Sequence, residues 1–199
     1  MKKIKVLKID PLNPDKKLIL AAVKSLKRGG LIVFPTETVY GLGCDPDNPN
    51  ALRKMFKAKK RLASKPFQLL VSDLKQARIC AKKIPANAKK LMNNLWPGPL
   101  TLVVKKSSYV SDILTSGLST VGLRMPDHPV ALAIIKAFKG PIAATSANIS
   151  GKRSSKTAKQ AVKDLKDHVD IALDSGRTRL GMSSKVVDAT GCCVRVLRK

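Results

Sequence analysis

The side chains best suited to chemistry in this sequence are cations and small polar groups, gathered in a few short stretches. Lys57, Lys59, Lys60 and Arg61 close an apolar-patterned segment, and Lys65-Pro66 follows at once. A point-charge ammonium beside a forked guanidinium can neutralise a triphosphate and hold a carboxylate. Cations at a helix C-terminus also serve simply as solvated groups that complement the helix dipole. Arg124 interrupts the apolar run Gly122-Leu123-Arg124-Met125-Pro126. Either it lies on an exposed strand face, or it is buried and needs an anion, which a protein carboxylate or a ligand would supply. Ser146 and Asn148, two apart after another apolar run, can hydrogen-bond an amino acid and a nucleotide without adding charge, although turn preference alone also places such residues there.

Other residues offer less. Gly41 and Gly43 permit close backbone approach around Leu42, but the segment is neither a Walker loop nor the dinucleotide fingerprint. His128 and His168 are far apart and form no triad or metal motif with their neighbours. Cys44, Cys80, Cys192 and Cys193 lack paired CxxC spacing, which argues against zinc or a disulfide framework and fits a reducing cytoplasm. With no dedicated nucleophile in view, an enzyme built from these groups would work by positioning reactants and stabilising charge.

The elements that must position these residues follow from periodicity. Asn13-Pro14 predicts an N-cap with proline at the first helical position, and Ile19, Val23 and Leu26 recur at helical spacing before Gly29-Gly30. A strand over Leu31 to Phe34 leads into the motif-rich Pro35 to Gly43 loop. Asn48-Pro49 starts a second helix through Leu52, Met55 and Phe56, whose end delivers the lysine cluster. Strands are expected over 67–71, 100–104, 120–125, 141–145, 184–188 and 194–197, with helices over 73–83, 85–95, 130–138 and around Ala161 and Leu165. Trp96-Pro97-Gly98-Pro99 is a rigid break, and the Ser- and Lys-rich stretch 150–160 reads as a mobile loop or lid. Strands and helices interleave throughout, giving a single α/β domain over 1–199; several strand pairs lack an intervening helix, so the sheet is mixed.

Composition narrows the partners. The 199 residues are 44% hydrophobic, enough for one core, while 39 Lys and Arg against 13 Asp and Glu leave a net charge of +26. Nucleic acid, nucleotide phosphates or anionic membrane would each answer that charge, and a basic surface with no dedicated partner is the plain alternative. One Trp, two Tyr and four Phe are too few for an extended base-stacking platform, so RNA contacts would run through phosphates. No stretch reaches membrane-span or signal-peptide length, and the chain reads as soluble, unexported and cytoplasmic.

Taken in order, Pro35-Thr36-Glu37-Thr38-Val39-Tyr40-Gly41-Leu42-Gly43, Lys59-Lys60-Arg61 as a Lys-x-Arg, Leu123-Arg124-Met125-Pro126 and Ser146-Ala147-Asn148 resemble the YrdC-like threonylcarbamoyl-AMP synthase family, from about residue 15 to Arg198. The resemblance implies a twisted mixed sheet with flanking helices around a large basic cavity that takes threonine and ATP side by side. By matching positions, Thr38, Arg124, Ser146 and Ser184 would contact threonine. Lys59, Arg61, Thr120, Asn148 and Arg198 would contact ATP, with Lys59 and Arg61 as the catalytic pair in a solvent-facing site and no metal site in the protein itself. Bicarbonate and threonine's amine would give a carbamate that attacks the α-phosphate of Mg2+-bound ATP and expels pyrophosphate. The product would pass to a tRNA threonylcarbamoyl transferase, with tRNA or double-stranded RNA as a possible contact.

Four positions depart from the family's commonest pattern. Lys65 stands where asparagine is frequent, Leu70 where histidine is, Lys156 where threonine is, and Lys185 follows Ser184 in place of threonine. These bear on amino-acid specificity more than on nucleotide binding. The chain ends at Lys199, so the extra C-terminal domain of the family's longer branch is expected to be absent. The alternatives are a non-catalytic RNA-binding protein on the same fold and a carbamoyl-adenylate-forming enzyme with another acceptor, as in hydrogenase-maturation carbamoyltransferases; the single-domain length argues against the latter.

Overall fold

The computed structural model describes residues 4–165 and 167–199. Its strands are β1 (Lys5–Lys8), β2 (Ile32–Phe34), β3 (Gly41–Cys44), β4 (Gln68–Leu70), β5 (Leu100–Lys105), β6 (Thr120–Arg124), β7 (Ile142–Ser146), β8 (Ile171–Asp174), β9 (Lys185–Asp188) and β10 (Arg195–Arg198). Its helices are α1 (Lys16–Lys27), α2 (Pro49–Lys59), α3 (Leu74–Cys80), α4 (Ala86–Leu95), α5 (Asp112–Thr115), α6 (Pro129–Phe138) and α7 (Ala158–Leu165). All ten strands join one sheet in the order β1-β8-β2-β3-β7-β4-β6-β5-β9-β10. The mixture is real: β8 runs parallel to β1 and β2, β4 to β6 and β5 to β9, and the remaining neighbours are antiparallel.

Strand alternation sorts the two faces. Val33, Leu42, Leu69, Leu102, Leu123, Ala143 and Val187 point to one side, where α2, α3, α4 and α7 cover them. The alternate residues Ile32, Phe34, Leu70, Ile142, Ile171 and Leu173 point to the other, beneath the apolar faces of α1 and α6. That second cluster takes nothing from β5, β6 or β9. Among the described residues, half of this face therefore carries no helix, and the open half holds the site.

Sequence expectations change in four places. The cap of α1 is Asp15, whose Oδ1 accepts from Lys17 N at 2.6 Å and Leu18 N at 3.4 Å, so Pro14 precedes the cap instead of opening the helix. Strands β1, β3 and β8 and the short α5 went unpredicted. Gly41 and Gly43 belong to β3, not to a loop, because the Phe34 ring lies across them: an added Cβ would sit 3.0 Å and 2.8 Å from ring carbons. Finally, the 150–160 stretch is tied down. The Ser155 carbonyl accepts from Tyr40 N at 2.9 Å, Ser155 Oγ donates to Ala147 O at 2.8 Å, and the Lys152 carbonyl accepts from Asn148 Nδ2 at 2.8 Å.

Candidate functional site

The uncovered half of the sheet frames a cavity of about 430 Å³, within the range of small-molecule sites. Its floor is set by period-2 alternation. Thr120, Gly122 and Arg124 of β6, Thr101 and Val103 of β5, and Gln68 and Leu70 of β4 all line it. Gly122 keeps this floor low, since a Cβ there would meet Thr101 Cγ2 at 3.2 Å.

Arg124 is buried, and its anion is a protein carboxylate. Nη2 donates to Glu37 Oε1 at 2.7 Å and to Thr38 Oγ1 at 2.9 Å, and Nε donates to Gly98 O at 3.2 Å. Glu37 sits in the loop after β2, which explains why that motif and the distant arginine occur together. Arg124 Nη1 has no partner among the described residues, and Arg124 still lines the cavity. Thr38 is held in turn by a 2.8 Å hydroxyl contact with Thr36, whose Oγ1 donates to Val39 O at 2.6 Å. On the opposite wall Ser184 Oγ and Thr101 Oγ1 are 2.9 Å apart, and Thr101 donates to Gln68 Oε1 at 2.9 Å.

Cations form the rim. Arg198 of β10 donates from Nε and Nη2 to Ser184 O at 3.0 Å and 2.7 Å. Arg61 donates to Lys65 O and Pro66 O, both at 2.9 Å, above the Phe67 ring at 5.4 Å. Burial, then the charge of Arg198, lowers the pKa of Arg61; burial, then the charge of Arg124, lowers that of Arg198. Like charges held this close, with no Asp or Glu among the described residues that line the cavity, make an anion the energetically natural occupant.

Lys59 is placed differently from the expectation. It projects from the buried face of α2 with Leu52, Met55 and Ala58, is 1% exposed, and does not line the cavity. Its ammonium donates to Ser146 O at 2.5 Å and Asn148 O at 2.6 Å, while its own carbonyl accepts from Ser150 N at 2.9 Å. Burial, with Arg61's charge second and Asp164 opposing, pushes its pKa down to about 7. Lys59 thus fastens the Ser146–Asn148 loop from behind, rather than facing solvent. Asn148 also lies behind the wall, donating to Ile149 O and Lys152 O, while its Oδ1 is buried without a partner among the described residues. Lys60 separates Lys59 from Arg61 by adopting a left-handed φ of 48°, which ends α2 and turns the next side chain toward the rim.

Of the predicted contacts, Thr38, Arg61, Thr120, Arg124, Ser146, Ser184 and Arg198 line one cavity, whereas Lys59 and Asn148 support it. Lys65 and Leu70 line it too, and Lys156 and Lys185 do not. Sequence reasoning gave no role to Thr36, Gln68 and Thr101; for Gln68 and Thr101 the usable signal was a polar residue inside an apolar strand run, the same signal that singled out Arg124. Among the described residues, no group of three or more His, Cys, Asp or Glu converges as a metal site, and no helix is long and apolar enough to cross a membrane.

The fold and site define a class: an α/β protein with a cationic, hydroxyl-floored cavity on a half-open twisted mixed sheet. Residues 24–199 match the family model that groups Sua5, YciO and YrdC under the description "Telomere recombination", and the chain belongs to that family. Threonylcarbamoyl-AMP synthase from Pyrococcus abyssi is 44% identical over 172 residues, covering 86% of this chain and 51% of the relative. The Bacillus subtilis protein of the same name is 40% identical over 179 residues, covering 89% and 52%. The chain therefore spans about half the length of these two relatives. The structure of P. abyssi Sua5 complexed with L-threonine superposes with a TM-score of 0.93 at 40% identity, over 97% of this chain and 56% of that one.

Proposed function

We infer that this chain joins L-threonine, bicarbonate and ATP into threonylcarbamoyl-AMP and pyrophosphate, the first step of N6-threonylcarbamoyladenosine formation in tRNA. The observation that carries the reading is the cavity itself, with three arginines on a hydroxyl floor and no lining carboxylate. The relatives' names and the threonine complex of one of them point the same way.

In this reading Arg124 and Thr38 meet the amino acid's carboxylate, and Ser146 and Ser184 its polar groups. Arg61, Arg198 and Thr120 meet the nucleotide, and Lys59 and Asn148 act by fixing the loop that carries Ser146. The neutral amine of threonine and bicarbonate combine to a carbamate with loss of water. A carbamate oxygen then attacks the α-phosphorus, the bond to the β-phosphate bridging oxygen breaks, and pyrophosphate leaves toward the rim arginines, which stabilise the growing charge. Among the described residues the wall offers Mg2+ no carboxylate, so the ion would enter as part of the ATP substrate and supply charge neutralisation of the phosphates. The labile product passes to a separate tRNA transferase in the cytoplasm, and RNA contacts, where they occur, are phosphate-based and salt-dependent.

The test is pyrophosphate release from the purified chain, with each substrate omitted in turn. Release should require threonine and bicarbonate together. Release indifferent to threonine would refute the reading, and tight, salt-sensitive RNA binding with no threonine-dependent turnover would support the RNA-binding alternative.

A further inference from the structure

Two features outside the cavity stand on one turn. Cys192 and Cys193 are both free and exposed in the β9–β10 connection, with their sulfurs 3.9 Å apart. The other two thiols are unavailable: Cys44 and Cys80 are buried, and burial pushes the Cys80 thiol up to about 12 and Cys44 higher still. The turn is anchored at two points on its β9 side. Thr190 N and Oγ1 donate to Asp188 Oδ1 at 3.0 Å and 2.7 Å, and Asn87 Nδ2, from the first turn of α4, donates to Gly191 O at 2.9 Å and Cys192 O at 3.2 Å.

We propose that Cys192 and Cys193 are a modification site for small-molecule disulfides, closing to an intramolecular disulfide that weakens the turn's hold on α4 and loosens β10. One thiolate attacks a sulfur of the small disulfide and expels a thiolate, which takes up the proton. The second cysteine's thiolate then attacks the mixed disulfide, forms the S–S bond and expels the second small thiolate. Two cysteine thiols are oxidised, and one small disulfide is reduced to two thiols.

Bond formation draws the sulfurs together by about 2 Å, from 3.9 Å to ~2.05 Å. The two Cα atoms are only ~3.8 Å apart across a single trans peptide, shorter than the separation disulfides prefer. The linking peptide must therefore turn, and its carbonyl is Cys192 O, which Asn87 holds. Losing that bond leaves Asn87 holding the turn to α4 through Gly191 O alone. The disturbance runs directly into β10, which lies at the edge of the sheet and pairs with β9 alone among the described strands, five residues before Arg198. The link from β10 to the ligand rests on the functional reading above, since Arg198 is assigned to the nucleotide there.

The experiment incubates the full chain with graded glutathione disulfide and glutathione. Alkylatable thiols are counted by intact mass, amide hydrogen exchange is followed over residues 194–199, and binding of a non-hydrolysable ATP analogue is titrated. The wild type should lose two thiols without retaining a glutathione adduct, exchange faster in β10 by on the order of tenfold, and bind the analogue several-fold more weakly, all reversed by dithiothreitol. Cys193→Ser should stop at the mixed disulfide, and the double Cys192→Ser, Cys193→Ser variant should not respond. Retention of both thiols at oxidising ratios, or an oxidised protein with unchanged β10 exchange, overturns the proposal. If β10 loosens as expected while even the reduced protein binds no nucleotide, the fault lies with the functional reading of the cavity.

Discussion

Replacing Lys59 by methionine keeps a long apolar side chain in the slot but removes the ammonium that bridges Ser146 O and Asn148 O. Each hydrogen bond to a charged group contributes ~1.5–3 kcal/mol. Relief from burying the cation returns part of that loss, leaving a net destabilisation of about 2–4 kcal/mol. For a domain of this size that corresponds to a fall in thermal midpoint of roughly 5–15 °C. Because Ser146 lines the cavity and Lys59 does not, the KM for threonine should rise more than the KM for ATP. The two proteins should also differ in pH dependence. The folded ammonium gives up its proton near 7 while an unfolded lysine keeps it to about 10.5, so across that window the unfolded chain binds more protons. The unfolding free energy of the wild type should therefore gain on the methionine variant as pH rises from 7, by at most ~1.4 kcal/mol per pH unit. Denaturant titrations of both proteins between pH 6 and about 9.5 measure this. A methionine variant with wild-type stability, wild-type threonine KM and a parallel pH curve would show that the lysine fastens nothing.

Arg198→Ala should weaken ATP-analogue binding by about tenfold or more, ~1.4 kcal/mol per decade, with a small loss of thermal midpoint from removal of the two hydrogen bonds to Ser184 O; calorimetric titration checks both threonine and nucleotide. Glu37→Ala strands the buried guanidinium of Arg124 and should cost about 3–5 kcal/mol in denaturant unfolding, with Glu37→Gln milder; an alanine variant as stable as wild type would refute the ion pair's structural role. Gly43→Ala places a Cβ 2.8 Å from Phe34 Cε1 and should destabilise by ~1–3 kcal/mol. Adding Phe34→Leu should recover part of that loss, and no recovery would mean that the ring is not the obstacle.

Much of the arrangement was legible because local rules and tertiary demands agreed. Asn48-Pro49 caps and opens α2 as read, with Asn48 Oδ1 accepting from Asn50 N and Ala51 N, both at 3.0 Å. Arg124 was recognisable as a cation in an apolar strand, but not its partner, since an ion pair 87 positions apart leaves no local trace. β3 was hidden by its glycines, which look like a loop until the Phe34 ring is seen to need their space. β8 lies beside β1 and β2, and only that pairing makes its short run a strand. Lys59 and Arg61 illustrate the deeper limit: spacing places two cations near one another, but only the left-handed Lys60 between them decides which one faces the ligand.

The cavity draws Ser146 from β7 in the middle of the sheet and Arg198 from β10 at its margin. A molecule gripped by both acts as a brace across four intervening strands, and margins are where sheets begin to fray. Cargo and scaffold then share one ledger of order: each occupied molecule forgoes the cheapest route to opening, so saturation should quiet motion far from any atom that the cargo touches.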